Sequence, residues 1–259
     1  MAKNLNIAML QVNLNWEHSE NNRSLFSKEI NALSENVDLV VLPEMFTTGF
    51  SMNAEILAEE TNGPTLLWMQ ELAKRRNLAI SGSVIITENG NYYNRLFFVY
   101  PDGSYKIYDK RHTFTLAKED QTYTAGKERL IVEYKGWKIC PLVCYDLRFP
   151  VFSRNTQEYD LLIYVANWPA KRIAAWDALL KARAIENMSY CVGVNRTGID
   201  GGGHKYNGHS AAYDCLGNII NEAGVEEPFS LELELDYSHL EETRNQFKFL
   251  LDRDEFILK

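Results

Sequence analysis

The chain has 259 residues, 46% of them apolar, and a formal net charge of −8. This length and apolar fraction suit one globular domain with a large core and exclude a disordered chain. The acidic balance, with no basic block, argues against nucleic acid as a partner. No apolar stretch reaches membrane-spanning length and the first residues lack a signal-peptide pattern, so we expect no membrane partner and a cytoplasmic location.

The hydrophobic pattern of the first half predicts strands alternating with helices. Ser19 is predicted to cap the first helix, and Pro64 suits the first turn of the second. A strand, a helix and a second strand in this order are typical of a right-handed β-α-β unit with parallel strands. The predicted elements are a strand at 5–12, a helix at 19–34, a strand at 37–42, a helix at 64–76 and strands at 78–86, 92–100 and 104–108.

The second half continues the same pattern after a long, strand-poor segment at 112–126. The predicted elements are strands at 130–134, 137–143 and 160–166, a helix at 174–187, and strands at 190–195 and 229–235. The segment 196–206 is predicted as a glycine-rich loop. It does not resemble a phosphate-binding loop, because no Lys-Ser/Thr pair or helix follows it. No linker, repeat or low-complexity segment divides the chain.

Three predicted strands end in residues that can carry chemistry. Glu44 follows the strand at 37–42, Lys110 follows the strand at 104–108, and Cys144 follows the strand at 137–143. In α/β proteins, ligands bind at the edge where parallel strands end. A glutamate can take a proton from a thiol, and a lysine can stabilise a negatively charged oxygen. The three strand ends thus offer a base, a cation and a nucleophile.

The cysteines also allow simpler interpretations. A lone cysteine is more often a small core residue than a nucleophile. Cys140, Cys191 and Cys215 are interpreted as structural thiols, and a disulfide framework is not expected in a chain of this kind. The pair Cys140 and Cys144 lacks a nearby histidine or second cysteine pair, so no metal is expected.

A cysteine–histidine arrangement is a further alternative for the base, through His112 or His209. His112 is next to Lys110 and Arg111, whose charges disfavour its protonated form. The order glutamate, lysine, cysteine is the more specific pattern.

Three separated motifs carry a resemblance that covers nearly the whole chain. They are Leu42-Pro-Glu-Met-Phe46, Asp109-Lys-Arg-His112 and Val143-Cys-Tyr-Asp-Leu-Arg-Phe-Pro150. Their order and spacing resemble the nitrilase superfamily of carbon–nitrogen hydrolases, and most of all its omega-amidase branch. The resemblance implies a single α/β domain over residues 1–259, folded as a four-layer α-β-β-α sandwich. It also implies a homodimer, with a C-terminal arm at about 237–259 that reaches the second subunit.

The resemblance implies roles for the site residues. Glu44 is the base, Cys144 the nucleophile that forms a thioester, and Lys110 a stabiliser of the oxyanion together with the backbone N–H of Tyr145. Glu119 matches a second family glutamate that supports the lysine. The substrate is a small-molecule amide, here 2-oxoglutaramate or 2-oxosuccinamate, and no cofactor is implied.

The walls of the substrate pocket are predicted less specifically. The aromatic candidates are Phe46, Phe114 and Trp168, although a tryptophan is also a common buried anchor. A substrate carboxylate requires a cation, and the unranked candidates are Arg111, Arg148 and Lys171. The alternative for each of these residues is a surface salt bridge.

Other functions remain open at this point. A sister hydrolase with the same three residues is one class: an N-carbamoyl amidase, an aliphatic amidase or a nitrilase. A non-catalytic binding protein with the same fold is the other class, which the presence of Glu44, Lys110 and Cys144 disfavours.

Overall fold

A computed structural model describes residues 4–222 and 224–257. The helices in this part are α1 (Ser19–Ala32), α2 (Ala54–Leu57), α3 (Pro64–Arg76), α4 (Glu119–Thr122), α5 (Pro150–Ser153), α6 (Ile173–Asn187) and α7 (Tyr237–Phe247). The strands are β1 (Leu5–Gln11), β2 (Leu39–Val41), β3 (Glu59–Glu60), β4 (Ala79–Glu88), β5 (Asn91–Val99), β6 (Tyr105–Asp109), β7 (Val132–Tyr134), β8 (Trp137–Val143), β9 (Leu161–Val165), β10 (Tyr190–Val194), β11 (Thr197–Ile199), β12 (Lys205–Asn207), β13 (Ala211–Tyr213) and β14 (Phe229–Leu235). Short 3₁₀ helices cover Thr115–Ala117, Cys144–Arg148, Ala170–Arg172 and Phe249–Asp252.

Most strands belong to two mixed sheets. The first has the order β14-β1-β2-β4-β5-β6, with β3 beside β4, and the second has the order β13-β10-β9-β8-β7. The central strands β1, β2 and β4 are parallel, as are β8, β9 and β10. The carboxyl ends of the parallel strands therefore share one edge in each sheet.

The side chains of β1 alternate between two cores. Ile7 and Met9 pack in the cluster that includes the residues of the second sheet, whereas Ala8 and Leu10 pack with helices α1 and α3. Burial of each side chain as large as Ile7 or Leu10 contributes about 1.5–3 kcal/mol. Because α6 covers the outer face of the second sheet, the layers run helix, sheet, sheet, helix. The predicted four-layer α-β-β-α sandwich is confirmed.

Two local predictions differ from the structure. Ser19 is the first residue of α1 rather than its cap, since His18 occupies that position and makes no capping hydrogen bond with its side chain. The segment 196–206 is not a plain loop, because β11 and β12 pair in it as a hairpin. Its glycines allow the tight return between the two strands.

The C-terminal segment begins as a helix that packs on its own chain. The Asp236 side chain caps α7 by accepting hydrogen bonds from the N–H groups of Ser238 and His239, at 2.8 and 3.2 Å. Arg244 pairs with Asp160 at 2.6 Å. Within residues 4–222 and 224–257, no helix combines the length and apolar character needed to cross a membrane.

Candidate active site

The site lies where the strands β2, β6, β8 and β9 end. Glu44, Lys110, Cys144 and Asn167 each follow one of these strands within three residues, and all four are buried. The first two residues come from one sheet and the last two from the other. The packing of the two sheets therefore brings together residues from distant parts of the chain.

The backbone at Cys144 is unusual. Its φ angle is +44°, in a region that a residue with a side chain adopts at a cost of roughly 1–3 kcal/mol. The turn is held by Asp146, whose carboxylate accepts hydrogen bonds from the N–H of Val143 at 3.0 Å and from the hydroxyl of Tyr108 at 2.7 Å. Strand β8 thus stops abruptly, and the side chain of Cys144 lines the adjacent cavity.

Lys110 is shared by two buried carboxylates. Its Nζ lies 2.8 Å from Oε1 of Glu44, and 3.0 and 2.9 Å from the two carboxylate oxygens of Glu119. The backbone N–H of Phe114 donates to the same Glu119 carboxylate at 2.5 Å. The structure therefore brings the predicted base, the predicted cation and the predicted supporting glutamate into one cluster.

Two asparagines complete this cluster, and the sequence reasoning missed their part in it. Asn94, in the middle of β5, donates to Oε1 of Glu44 at 2.8 Å. Asn167 donates its backbone N–H to the other oxygen of Glu44 at 2.9 Å, and its side-chain amide to the backbone carbonyl of Glu44 at 2.5 Å. These contacts hold the Glu44 carboxylate in one orientation. For Asn167, the signal available was its position at a strand end; for Asn94 there was none.

Burial and charge act in opposite directions on the cluster. Burial alone lowers the pKa of Lys110, but the carboxylates of Glu119 and Glu44 outweigh it, so the pKa lies above its ordinary value. Burial raises the pKa of Glu119; Lys110 opposes this, and the negative charge of Glu44 adds to it. Lys110 consequently keeps its positive charge throughout the neutral pH range.

The thiol of Cys144 is protonated at neutral pH. Burial raises its pKa well above the ordinary value, and the charge of Glu44 adds to this, against the opposing effect of Lys110. In the structure the thiol donates to the backbone carbonyl of Asn167 at 3.9 Å, and Asn167 is also the residue whose N–H holds the Glu44 carboxylate. The thiol thus depends on a neighbouring base to become a nucleophile.

This electrostatic state predicts how alkylation depends on pH. An ordinary thiol has a pKa of about 8.5, and the reaction rate follows the thiolate fraction below that value. With its raised pKa, Cys144 should react with iodoacetamide at a rate that still rises about tenfold per pH unit above pH 8.5. The labelled peptide is quantified by mass spectrometry, with N-acetylcysteine as the reference thiol. A plateau below pH 8 would show instead that Lys110 stabilises the thiolate.

A cavity of about 330 Å³ opens beside the cluster. Six of the predicted site residues line it: Lys110, Phe114, Cys144, Tyr145, Arg148 and Trp168. Tyr145 is in the first turn of the 3₁₀ helix that begins at Cys144, where backbone N–H groups have no acceptor within the helix. Lining residues that were not predicted include Trp16, Phe50, Arg172 and Tyr206. Aromatic rings thus surround the thiol and Lys110.

Three predicted pocket residues lie elsewhere. Phe46 is fully buried on the helix side of the first sheet, where it packs against Phe26 and Trp68. Lys171 is exposed and does not line the cavity. Arg111 donates to the backbone carbonyl of Gly126 and borders a separate surface hollow. The predictions for Phe46, Arg111 and Lys171 are therefore wrong, and the next residue along, Arg172, takes the place expected for Lys171.

The two histidines considered as bases pair with other groups. Nδ1 of His112 lies 2.7 Å from Asp146, and its ring stacks on Phe149. Nδ1 of His209 lies 3.1 Å from Asp177. Neither histidine is among the residues that line the cavity. The glutamate is thus the base that the geometry favours for Cys144.

A thiol at a strained strand end, beside a buried lysine and two glutamates, defines a nitrilase-type hydrolase site. The sequence profile of the carbon–nitrogen hydrolase family matches residues 6–245. The chain belongs to this family, and within the nitrilase superfamily it falls in the omega-amidase-like branch. It is therefore an enzyme that hydrolyses carbon–nitrogen bonds, an amidase of the nitrilase type.

Known proteins resemble the chain over almost its full length. It is 45% identical to the omega-amidase YafV of Yersinia enterocolitica over 255 residues, which are 98% of each chain. It is 33% identical to the 2-oxoglutaramate amidase of Bacillus subtilis (strain 168), covering 92% of this chain and 93% of the relative. A crystal structure from Xanthomonas campestris, of a CN-hydrolase superfamily protein with an arsenic adduct in the active site, superimposes with a TM-score of 0.96 at 42% identity, covering 99% of both chains.

Proposed function

We propose that the enzyme is an omega-amidase that hydrolyses the terminal amide of small 2-oxo acid amides, such as 2-oxoglutaramate and 2-oxosuccinamate. The products are the dicarboxylate and ammonia. The observation that carries the proposal is the buried cluster of Glu44, Lys110 and Glu119, with the Cys144 thiol next to it in a small cavity. The names of the similar omega-amidases and 2-oxoglutaramate amidases support this substrate class.

The first half of the reaction forms a thioester. Glu44 accepts the thiol proton while the sulfur of Cys144 attacks the amide carbon. The oxyanion is stabilised by Nζ of Lys110 and the N–H of Tyr145, and the loss of one such donor typically raises the barrier by about 3–4 kcal/mol. When the intermediate collapses, the C–N bond breaks and Glu44 gives its proton to the departing ammonia.

The second half regenerates the thiol. Glu44 takes a proton from a water molecule, whose oxygen attacks the thioester carbon. The C–S bond breaks, the acid leaves, and the sulfur receives the proton back from Glu44. Glu119 takes no part in proton transfer in this scheme, since both of its oxygens contact Lys110. Its role is to orient the lysine and to keep it charged.

The remaining expectations form part of the same proposal. Residues 1–259 are one catalytic domain, and two copies form a homodimer to which the arm at 237–259 contributes. Exposed apolar side chains on this arm support the dimer, among them Phe249 and Leu251. The cytoplasmic location stays a prediction.

The test is ammonia release from 2-oxoglutaramate, measured beside a carbamoyl amino acid, pentanamide and a nitrile. We expect the oxo acid amide to be the preferred substrate and its turnover to vanish in Cys144→Ala. The control is Cys191→Ala, which removes an equally buried thiol from β10. If another compound is preferred, the mechanism stands and the substrate assignment fails. If Cys144→Ala retains activity, the mechanism itself fails.

A further inference from the structure

Two arginines line the cavity without an acidic partner. Arg172 is half-buried, and its guanidinium lies 5.0 Å from the centre of the Phe114 ring. Arg148 is exposed, and its guanidinium lies 5.0 Å from the centre of the Trp168 ring. Among the described residues, neither guanidinium has a carboxylate oxygen within 4.0 Å, in contrast to Arg95 or Arg244.

Asp200 lines the same cavity, and both of its carboxylate oxygens already accept hydrogen bonds from nearby protein groups. Oδ1 of Asp200 accepts hydrogen bonds from the N–H groups of Gly202 and His204, both at 2.9 Å. Its Oδ2 accepts one from the hydroxyl of Tyr206 at 2.8 Å. These contacts shape the turn between β11 and β12 and occupy both oxygens of Asp200, which does not pair with either arginine in the described part of the chain.

Arg172 has the stronger electrostatic reason to bind an anion. An arginine stays charged at any pH that the folded protein meets, and partial burial takes away some of its hydration. A ligand carboxylate replaces that hydration with two charge-assisted hydrogen bonds. Arg172 also precedes α6, whose first turn contains no acidic residue, so the positive end of the helix dipole adds to the attraction.

The position of Arg172 is held by the walls of the cavity. Nε1 of Trp168 donates to the backbone carbonyl of Arg172 at 2.9 Å. The Phe114 ring under the guanidinium belongs to the residue whose N–H donates to Glu119, the partner of Lys110. Arg172 and the catalytic lysine are thus connected through two residues, Phe114 and Glu119. Arg172 and Cys144 line the same cavity, so a substrate anchored at one end by Arg172 shares that cavity with the thiol.

Resting on the proposed function, we propose that Arg172 binds the carboxylate of the substrate and thereby selects amides that carry a negative charge at the far end. Arg148, more exposed to water, is the weaker second cation. Arg172 is a specificity-determining residue in this assignment, and it does not contact the amide that reacts.

The test compares 2-oxoglutaramate with pentanamide, an uncharged amide of the same chain length, in Arg172→Met. The kcat/KM for 2-oxoglutaramate divided by that for pentanamide should fall about 10- to 100-fold, the effect expected when one charge-assisted hydrogen bond is lost. The fall should come mainly from a higher KM for 2-oxoglutaramate. Arg172→Lys should recover part of the loss, and Arg148→Met should cause a smaller fall. Lys171→Met, an exposed cation in the same 3₁₀ helix, is the matched control and should keep the wild-type ratio.

A binding measurement separates this inference from the proposed function. Calorimetry with glutarate, in the Cys144→Ala background, should show weaker binding when Arg172→Met is added and no change with Lys171→Met. If the wild type fails to hydrolyse 2-oxoglutaramate, the proposed function fails, yet glutarate binding that depends on Arg172 still supports the anion site. If Arg172→Met melts like the wild type but changes neither the specificity ratio nor glutarate affinity, the inference is overturned.

Discussion

Replacing Glu44 with glutamine is expected to lower kcat by roughly 10³–10⁴-fold, the upper part of the range for general acid–base catalysis, because Glu44 moves the proton in both halves of the reaction. Glutamine has nearly the same shape but accepts hydrogen bonds through only one of its two terminal atoms. Lys110 and Asn94 donate to one oxygen of Glu44 and Asn167 donates to the other. In either orientation of the glutamine amide, its NH₂ group therefore faces another hydrogen-bond donor and cannot pair with it.

The measurement for Glu44→Gln is single-turnover and steady-state ammonia release, with mass spectrometry of the intact protein to detect an acyl-enzyme. Glu60→Gln is the control, since Glu60 is exposed and lies outside the cluster. An activity loss below tenfold would remove Glu44 from the proposed role and would favour a different base for Cys144.

Replacing Lys110 with methionine should abolish activity and also reduce the free energy of unfolding, by about 3–5 kcal/mol at neutral pH. The change leaves the carboxylates of Glu44 and Glu119 buried next to each other without a cation. The pKa of Glu119 is already raised by burial, and it rises further in the variant, so that the cluster can take up a proton instead.

This pKa shift sets the direction of the pH dependence. A carboxyl group whose pKa is higher in the folded than in the unfolded protein favours the folded state at low pH, and this contribution is lost as pH rises. The difference in melting temperature between Lys110→Met and the wild type should therefore be smallest near pH 5 and grow towards pH 8. Lys106→Met, an exposed lysine on the same strand β6, should show no such trend. A pH-independent difference would mean that the two carboxylates do not share a proton in the variant.

Local patterns in the sequence were enough to predict most of the fold. The strands β8 and β14 have the predicted bounds, and the helix α3 begins and ends at the predicted residues. In β14 the leucines alternate with more exposed neighbours, as the pattern required. These predictions depend on contacts near in sequence, and the hydrophobic period of each segment records them directly. Glu44, Lys110 and Cys144 could be selected for the same reason, because each follows an apolar run.

The direction that a side chain takes after a strand was not predictable in the same way. Phe46 follows Glu44 by two residues and was expected in the pocket, but Met45 has a φ angle of +42° and the chain turns back at that point. The ring of Phe46 enters the helix-side core, in the space left by the missing side chain of Gly82. A hydrophobic pattern contains no information about such a reversal.

The sequence by itself thus determined the order of the elements, the strand ends that bear charge or a thiol, and the family to which the motifs belong. Only the tertiary structure decided how those ends are arranged: that Asn94 orients Glu44, that Glu119 and Glu44 share one lysine, and that Arg172 lines the cavity while Lys171 does not. The reason is physical. Buried charges need partners, and here the partners come from distant segments of the chain. The packing of the two sheets determines which groups meet, and a local pattern of residues contains no information about that packing.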